Sequence, residues 1–159
     1  MTLYHGSNTI VETPRLIAHN RFLDFGNGFY TTPNKDQAVK FAQIVVQRRG
    51  GAEIVSMYEY NEISAASELD ILHFTDTDAA WLDFITQNRR GIYNGKKYDI
   101  LSGPVANDNV YETVNYYSMG IFSVEEAVER LKVWKLYDQI TFCTEKALRH
   151  IRFSGILEF

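Results

Sequence analysis

The sequence predicts an α+β fold. Strand-like and helical stretches are interleaved along its 159 residues without strict β–α–β alternation, which argues against a doubly wound parallel sheet. Ten Tyr, ten Phe and two Trp supply apolar surface for a packed core. The length suits one compact domain over 1–159, with no internal repeat, low-complexity tract or linker.

Residues 2–5 read as a short strand. Residues 7–21 are irregular, with Pro14 opposing regular pairing. "DFGNGFYTT", Asp24 to Thr32, holds two glycines before Phe29 and Tyr30, which point to opposite faces if the segment is extended. Asp36 to Arg49 reads as a helix stopped by Gly50 and Gly51, with Ala38, Phe41, Ala42, Val45 and Arg49 on one face. Strands follow at 52–60 and 69–74. A helix with a polar start covers 75–91, ending at Gly91. Residues 96–108 read as a buried strand ending in a Gly103-Pro104 loop, and 109–120 as either helix or loop. Ser123 and Glu126 form a capping box for a helix lined by Val124, Ala127, Val128 and Leu131. A strand at 137–142, a short helix at 144–151 and a terminal strand at 152–159 complete the chain.

The net charge of −4 lacks the basic footprint of a nucleic-acid binder. Local basic pairs at Arg48-Arg49, Arg89-Arg90 and Lys96-Lys97 would have to hold such a substrate alone. One cysteine, Cys143, excludes an intramolecular disulfide and a Cys-rich metal site. No run approaches 18 apolar residues, and the first ten residues lack the pattern of a signal peptide. The expected location is the cytoplasm, with no membrane partner.

Two stretches bear chemistry. In "LYHGS", His5 ends a strand and Gly6 lets a ligand reach backbone N–H and C=O, while the imidazole can donate to a hydroxyl. The plainer reading is a surface histidine in a turn. In "DFGNGFY", Gly26 and Gly28 permit unusual backbone geometry, and Tyr30 can present its ring to a planar group. The plainer reading is a hairpin loop with core aromatics. Neither a phosphate loop nor a dinucleotide fingerprint matches the spacing. Phe41, eleven residues after Tyr30, is core by periodicity or else the second wall of an aromatic slot.

Together, "HGS", "GNGFYTT" and the aromatic eleven residues past Tyr30 resemble the ADP-ribosyltransferase superfamily, in its His-Tyr-Glu branch of diphtheria-toxin-like toxins and poly(ADP-ribose) polymerases. The chain is more closely similar to the bacterial DUF3990 family, through "LYHGS", "DFGNGFYTT", "QAVKFA", "YDILSGPVAND" and "DQITFCTEKAL". The resemblance implies a split β-sheet core with flanking helices and NAD as co-substrate, without a metal. It implies that His5 bonds the nicotinamide-side ribose and Gly6 the carboxamide, with Ser7 in support. Tyr30 would stack on nicotinamide opposite Phe41, with Gly28 shaping the loop. The adenosine end would lie toward the irregular segment after Ser7.

The third signature residue, a glutamate in that branch, is replaced. The strand reads "YDQITF", where Asp138 and Gln139 compete. If Ile140 and Phe142 face the core with Asp138, then Gln139 shares a more polar face with Tyr137 and Thr141 and enters the cleft. A glutamine offers only neutral hydrogen bonds where a carboxylate would offer charge. Poly-transfer is the least expected outcome.

Asp99 and Asp108 flank the Gly103-Pro104 loop, as substrate-side groups or solvated turn carboxylates, with Asp108 the better acid or base. His19, His73 and His150 lack metal-ligand spacing and are expected to be structural. Cys143 should pack inside or beside the site. The implied function is a mono-ADP-ribosyltransferase, the toxin of a bacterial toxin–antitoxin or phage-defence system. Its partners would be NAD, a protein or nucleic-acid acceptor, and a small antitoxin protein. The alternatives are an NAD- or ADP-ribose-binding module, an NAD glycohydrolase, or an interaction domain whose aromatics are all core.

Overall fold

The computed structural model describes residues 1–16 and 23–159. His19 lies outside them. In chain order the elements are β1 (Thr2–Ser7), β2 (Phe29–Thr31), α1 (Lys35–Arg49), β3 (Ile54–Tyr60), α2 (Glu62–Glu68), β4 (Ile71–His73), α3 (Ala79–Arg89), β5 (Ile100–Pro104), α4 (Asp108–Ser118), α5 (Val124–Leu131), β6 (Asp138–Phe142), α6 (Glu145–Leu148) and β7 (Ile151–Ile156). The fold is mixed α+β with open sheets, as the sequence predicts.

The strands form two sheets, β1-β3-β7 and β2-β6-β5-β4. All pairings are antiparallel except β4–β5, whose connection runs through α3 as a single β–α–β unit. Leu3, Tyr58 and Tyr60 of the first sheet share a core with Phe29, Ile100 and Phe142 of the second. The sheets therefore pack face to face, with α2 and α6 adding Ala65 and Ala147. α1 covers the outer face of the first sheet through Ala38 and Ala42, which meet Val55. α3, α4 and α5 cover the outer face of the second through Trp81, Leu82, Ile85, Val110, Val114, Ala127 and Leu131.

Local chemistry explains most element ends. The Asn34 side chain accepts from Gln37 N at 2.8 Å to start α1, and Gly50, with φ 76°, closes it. The Ser123–Glu126 capping box is present. The undecided stretch at 109–120 is helical, since Asn107 caps α4 and Val110 and Val114 bury one face. The sequence reading passed over α2. It has seven residues, capped by Asn61, and buries only Ala65, too little for a visible period. Phe41 departs from the periodicity: α1 rests on Ala38 and Ala42, and Phe41 stands 53% exposed.

Candidate functional site

The site begins where the sheets separate. Tyr4 and Thr32 exchange two backbone hydrogen bonds of 2.9 Å, forming an isolated bridge between β1 and the end of β2. A continuing antiparallel ladder would next pair Gly6 with Tyr30. It does not continue. The Tyr30 carbonyl accepts instead from His5 Nδ1 at 2.7 Å. By strand alternation, the Gly6 N–H and C=O point the same way as those of Tyr4, away from β3. They find no partner among the described residues. One donor and one acceptor thus lie unpaired on the edge of β1 nearest β2.

The hydrogen bond also fixes the state of His5. A carbonyl only accepts, so Nδ1 carries the proton. Burial lowers the His5 pKa, against the raising effect of the Tyr30 bond, and favours the neutral ring. Nε2 is then an acceptor. His5 would receive a hydrogen bond from a hydroxyl rather than donate one, which corrects the sequence expectation. Its ring leans on Phe29, with centroids 4.5 Å apart. The segment after Ser7 crosses the same face of the sheet, where Val11 N donates to Ser56 Oγ at 3.1 Å and Tyr58 Oη donates to Val11 O at 2.6 Å. Ser7 ends β1 opposite Ile54.

Both site glycines have packing reasons. A Cβ on Gly6 would lie 2.1 Å from Ala38 O and 2.8 Å from Ala42 N, so only glycine lets α1 sit this close. A Cβ on Gly28 would lie 2.6 Å from Thr141 Cγ2 and 2.9 Å from Phe142 O. Gly28 is there for close approach to β6; positive φ belongs to Gly26, at 72°.

Phe29 and Tyr30 do point to opposite faces. Phe29 enters the core between the sheets, and Tyr30 packs toward the α3–α5 side. The bridge and ladder put Tyr4, Gly6, Tyr30, Thr32, Gln139 and Thr141 on one continuous face. α1 covers that face at Gly6 and carries Phe41, exposed, on its surface. His5 sits on the opposite face, reaching the site through the Tyr30 carbonyl.

β6 places its two competing residues differently. Asp138 is exposed, while Gln139 is 7% exposed on the Tyr30 face. The alternation therefore points Gln139 inward, on a face that is polar in its residues but closed to solvent: Thr141 on that face is fully buried. Gln139 Nε2 and Thr141 Oγ1 are buried without a partner among the described residues. Thr32 Oγ1, next to Gln139, bonds Gln37 Oε1 at 2.7 Å and Asp138 O at 2.9 Å.

Beside Tyr30 stands an ion pair that the sequence does not reveal. Arg89 Nε donates to Asp24 Oδ1 at 2.5 Å, and Asp24 Oδ2 accepts from Ala106 N at 3.2 Å. The Tyr30 hydroxyl donates to Gly26 O at 2.6 Å and accepts from Phe25 N at 3.2 Å. Burial, foremost, raises the Tyr30 pKa, so the phenol stays protonated. No local signal joins residues 24 and 89; only the tertiary fold does.

The family model for DUF3990, described as a protein of unknown function, matches residues 1–153. The chain belongs to the DUF3990 family. No curated protein and no solved structure matches it.

The remaining candidates of this DUF3990 chain lie apart from Gly6 and have the following surroundings. Asp99 Oδ2 accepts from Asp70 N at 2.9 Å and Oδ1 from Thr144 Oγ1 at 2.7 Å, locking β4, β5 and α6 together. Burial pushes its pKa up, but these bonds, with Lys146 and His150 nearby, outweigh burial and hold it below the ordinary value. Asp108 is an exposed residue in the first turn of α4, where a carboxylate complements the helix dipole. His73 Nδ1 lies 2.7 Å from Ser102 Oγ. His150 bridges Ser64 Oγ at 2.9 Å and Glu68 Oε2 at 3.3 Å. No group of three or more metal-ligating side chains occurs among the described residues. Burial, chiefly, pushes the Cys143 thiol up to about 12, which keeps it protonated at neutral pH. One member of each of two basic pairs has a partner: Arg89 is held by Asp24, and Lys96 lies 3.6 Å from Asp70 and over the Tyr98 ring. No described helix is long and apolar enough to cross a membrane.

Proposed function

We propose that this DUF3990 chain is an NAD-dependent mono-ADP-ribosyltransferase, acting on a macromolecular acceptor and releasing nicotinamide. The observation that carries the reading is the unpaired backbone of Gly6 at the split between β1 and β2. A primary carboxamide offers one N–H donor and one C=O acceptor side by side, the complement of a bare strand edge. NAD would supply ADP-ribose on a bond to nicotinamide, a ready leaving group.

The chain's own residues then have distinct tasks. Gly6 holds the carboxamide. His5 Nε2 accepts from a ribose hydroxyl. The Tyr30 ring lies along the nicotinamide, its hydroxyl already committed to the turn at 25–26. Phe41, exposed on the helix that packs against Gly6, is the opposite wall. Gln139 stands at the inner edge and offers a neutral amide. The glycosidic C–N bond breaks with its electron pair leaving on nicotinamide, and the acceptor's lone pair forms the new bond to the ribose carbon. Gln139 cannot take the acceptor's proton, so an acceptor bearing one loses it to solvent or to its own neighbours. The toxin role, and a small antitoxin protein as partner, rest on the family resemblance.

A second reading has an observation of its own. Gln139 brings no negative charge to the place where positive charge develops, so the chain would bind NAD and react slowly or not at all. Incubation with labelled NAD and a bacterial lysate, with and without nuclease, separates the two. Nuclease-resistant label marks a protein acceptor and nuclease-sensitive label a nucleic acid. Released nicotinamide without label marks hydrolysis. NAD binding with neither marks the binding module, and failure to bind NAD removes both readings.

A further inference from the structure

The turn that holds the Tyr30 hydroxyl is itself clamped from a distance. Leu23 O accepts from Gly26 N at 3.0 Å, closing the turn. Asp24 within it is bound on both carboxylate oxygens, by Arg89 Nε at 2.5 Å and by Ala106 N at 3.2 Å. Arg89 Nη2 reaches Ala106 O at 3.5 Å, and the guanidinium lies over the Tyr111 ring, 5.1 Å from its centroid. Asn88, the neighbour of Arg89 on α3, lies close to the same turn: its Oδ1 is 3.0 Å from where a Cβ on Gly26 would stand. The last turn of α3 and the approach to α4 thus grip residues 24–26 together. Those residues supply both hydrogen-bond partners of Tyr30 Oη.

The pair is costly to bury. The Arg89 side chain is only 19% exposed, and its Nη1 is buried without a partner among the described residues. Removing a guanidinium from water for one carboxylate and one long bond gives little net stability. What it does give is a fixed place for a turn that neither β2 nor the core between the sheets constrains.

We propose that Arg89 is the positioning residue of the nicotinamide slot, setting the Tyr30 ring through Asp24 and the 23–26 turn. The part concerning nicotinamide rests on the functional reading above; the coupling of Arg89 to Tyr30 does not. Lysine cannot replace it, because a point charge lacks the fork that binds Asp24 and Ala106 at once.

Two readouts test this. In the absence of NAD, exchange of the Phe25 amide, which donates to Tyr30 Oη, is followed by NMR in wild type, Tyr30→Phe, Arg89→Gln and Arg89→Lys. The expected result is faster Phe25 exchange in all three variants, by about tenfold. Unchanged Phe25 exchange in a folded Arg89→Lys or Arg89→Gln variant overturns the proposal. If Arg89→Gln does not fold, Arg89→Lys alone decides. The second readout is NAD affinity across the cycle of Arg89→Lys and Tyr30→Phe. Each single variant should weaken binding about tenfold, and the double variant no more than either. A double loss equal to the product of the singles means the residues act independently and overturns the proposal. If wild type binds no NAD, the functional reading falls, and Phe25 exchange alone decides the coupling.

Discussion

His5, with Nδ1 held by the Tyr30 carbonyl and Nε2 left to accept, gives the site its first residue-scale test. His5→Ala and Tyr30→Ala should each weaken NAD binding about tenfold or more while far-ultraviolet dichroism stays native. Undiminished affinity in both folded variants would remove the cleft from the account. Gln139→Glu tests the third position. A charge-assisted contact is roughly twice as strong as a neutral one, so nicotinamide release should rise about tenfold or more, measured at saturating NAD. At this scale the sequence was informative where residues lie close together. The alternation in "YDQITF" was enough to turn Gln139 inward and Asp138 outward. It was silent on Asp24 and Arg89, because an ion pair across 65 positions leaves no local trace. It also took the free ring nitrogen of His5 as a donor, since the tautomer is set by a carbonyl 25 residues away.

Among the elements, β1 and α1 depend on each other through Gly6. Any side chain there meets the α1 backbone at Ala38 and Ala42, and backbone yields less readily than a side chain. Gly6→Ala should destabilise the fold by about 1–3 kcal/mol or more, measured by urea denaturation, and should disturb NAD binding even where the variant folds. A stability equal to wild type would mean that α1 does not rest on β1 as described. Helices with caps or a clear apolar stripe were legible: α1 by Gly50, α5 by its capping box, α3 by its polar start and glycine stop. α2 was not, because a single buried alanine makes no period. Phe41 shows the limit of periodicity from the other side. It is in register with the apolar stripe, but the close approach at Gly6 lets α1 dock on two alanines and leaves the ring outside.

The whole molecule carries a pH signature. His5 has its folded pKa below 6.5, so between that value and its folded pKa the unfolded chain binds a proton that the folded chain does not. Stability should therefore fall as pH drops below about 6.5, and His5→Gln should flatten that slope in melts from pH 7 to 5. Asp99, held below 3.8, adds stability above 3.8 that is lost as pH falls through its folded pKa. The α+β class was readable from the interleaving of helix and strand. The separation into two facing sheets was expected from the family resemblance alone; the interleaving does not show it, because it depends on a ladder that stops after the single Tyr4–Thr32 bridge. That interruption creates the central claim, an NAD site at the Gly6 edge. Calorimetric titration of NAD into the purified chain, beside Tyr30→Ala, tests it most directly. The account predicts a saturable heat for wild type, much reduced in the variant. No heat in wild type at millimolar NAD, or the same heat in both, would contradict it.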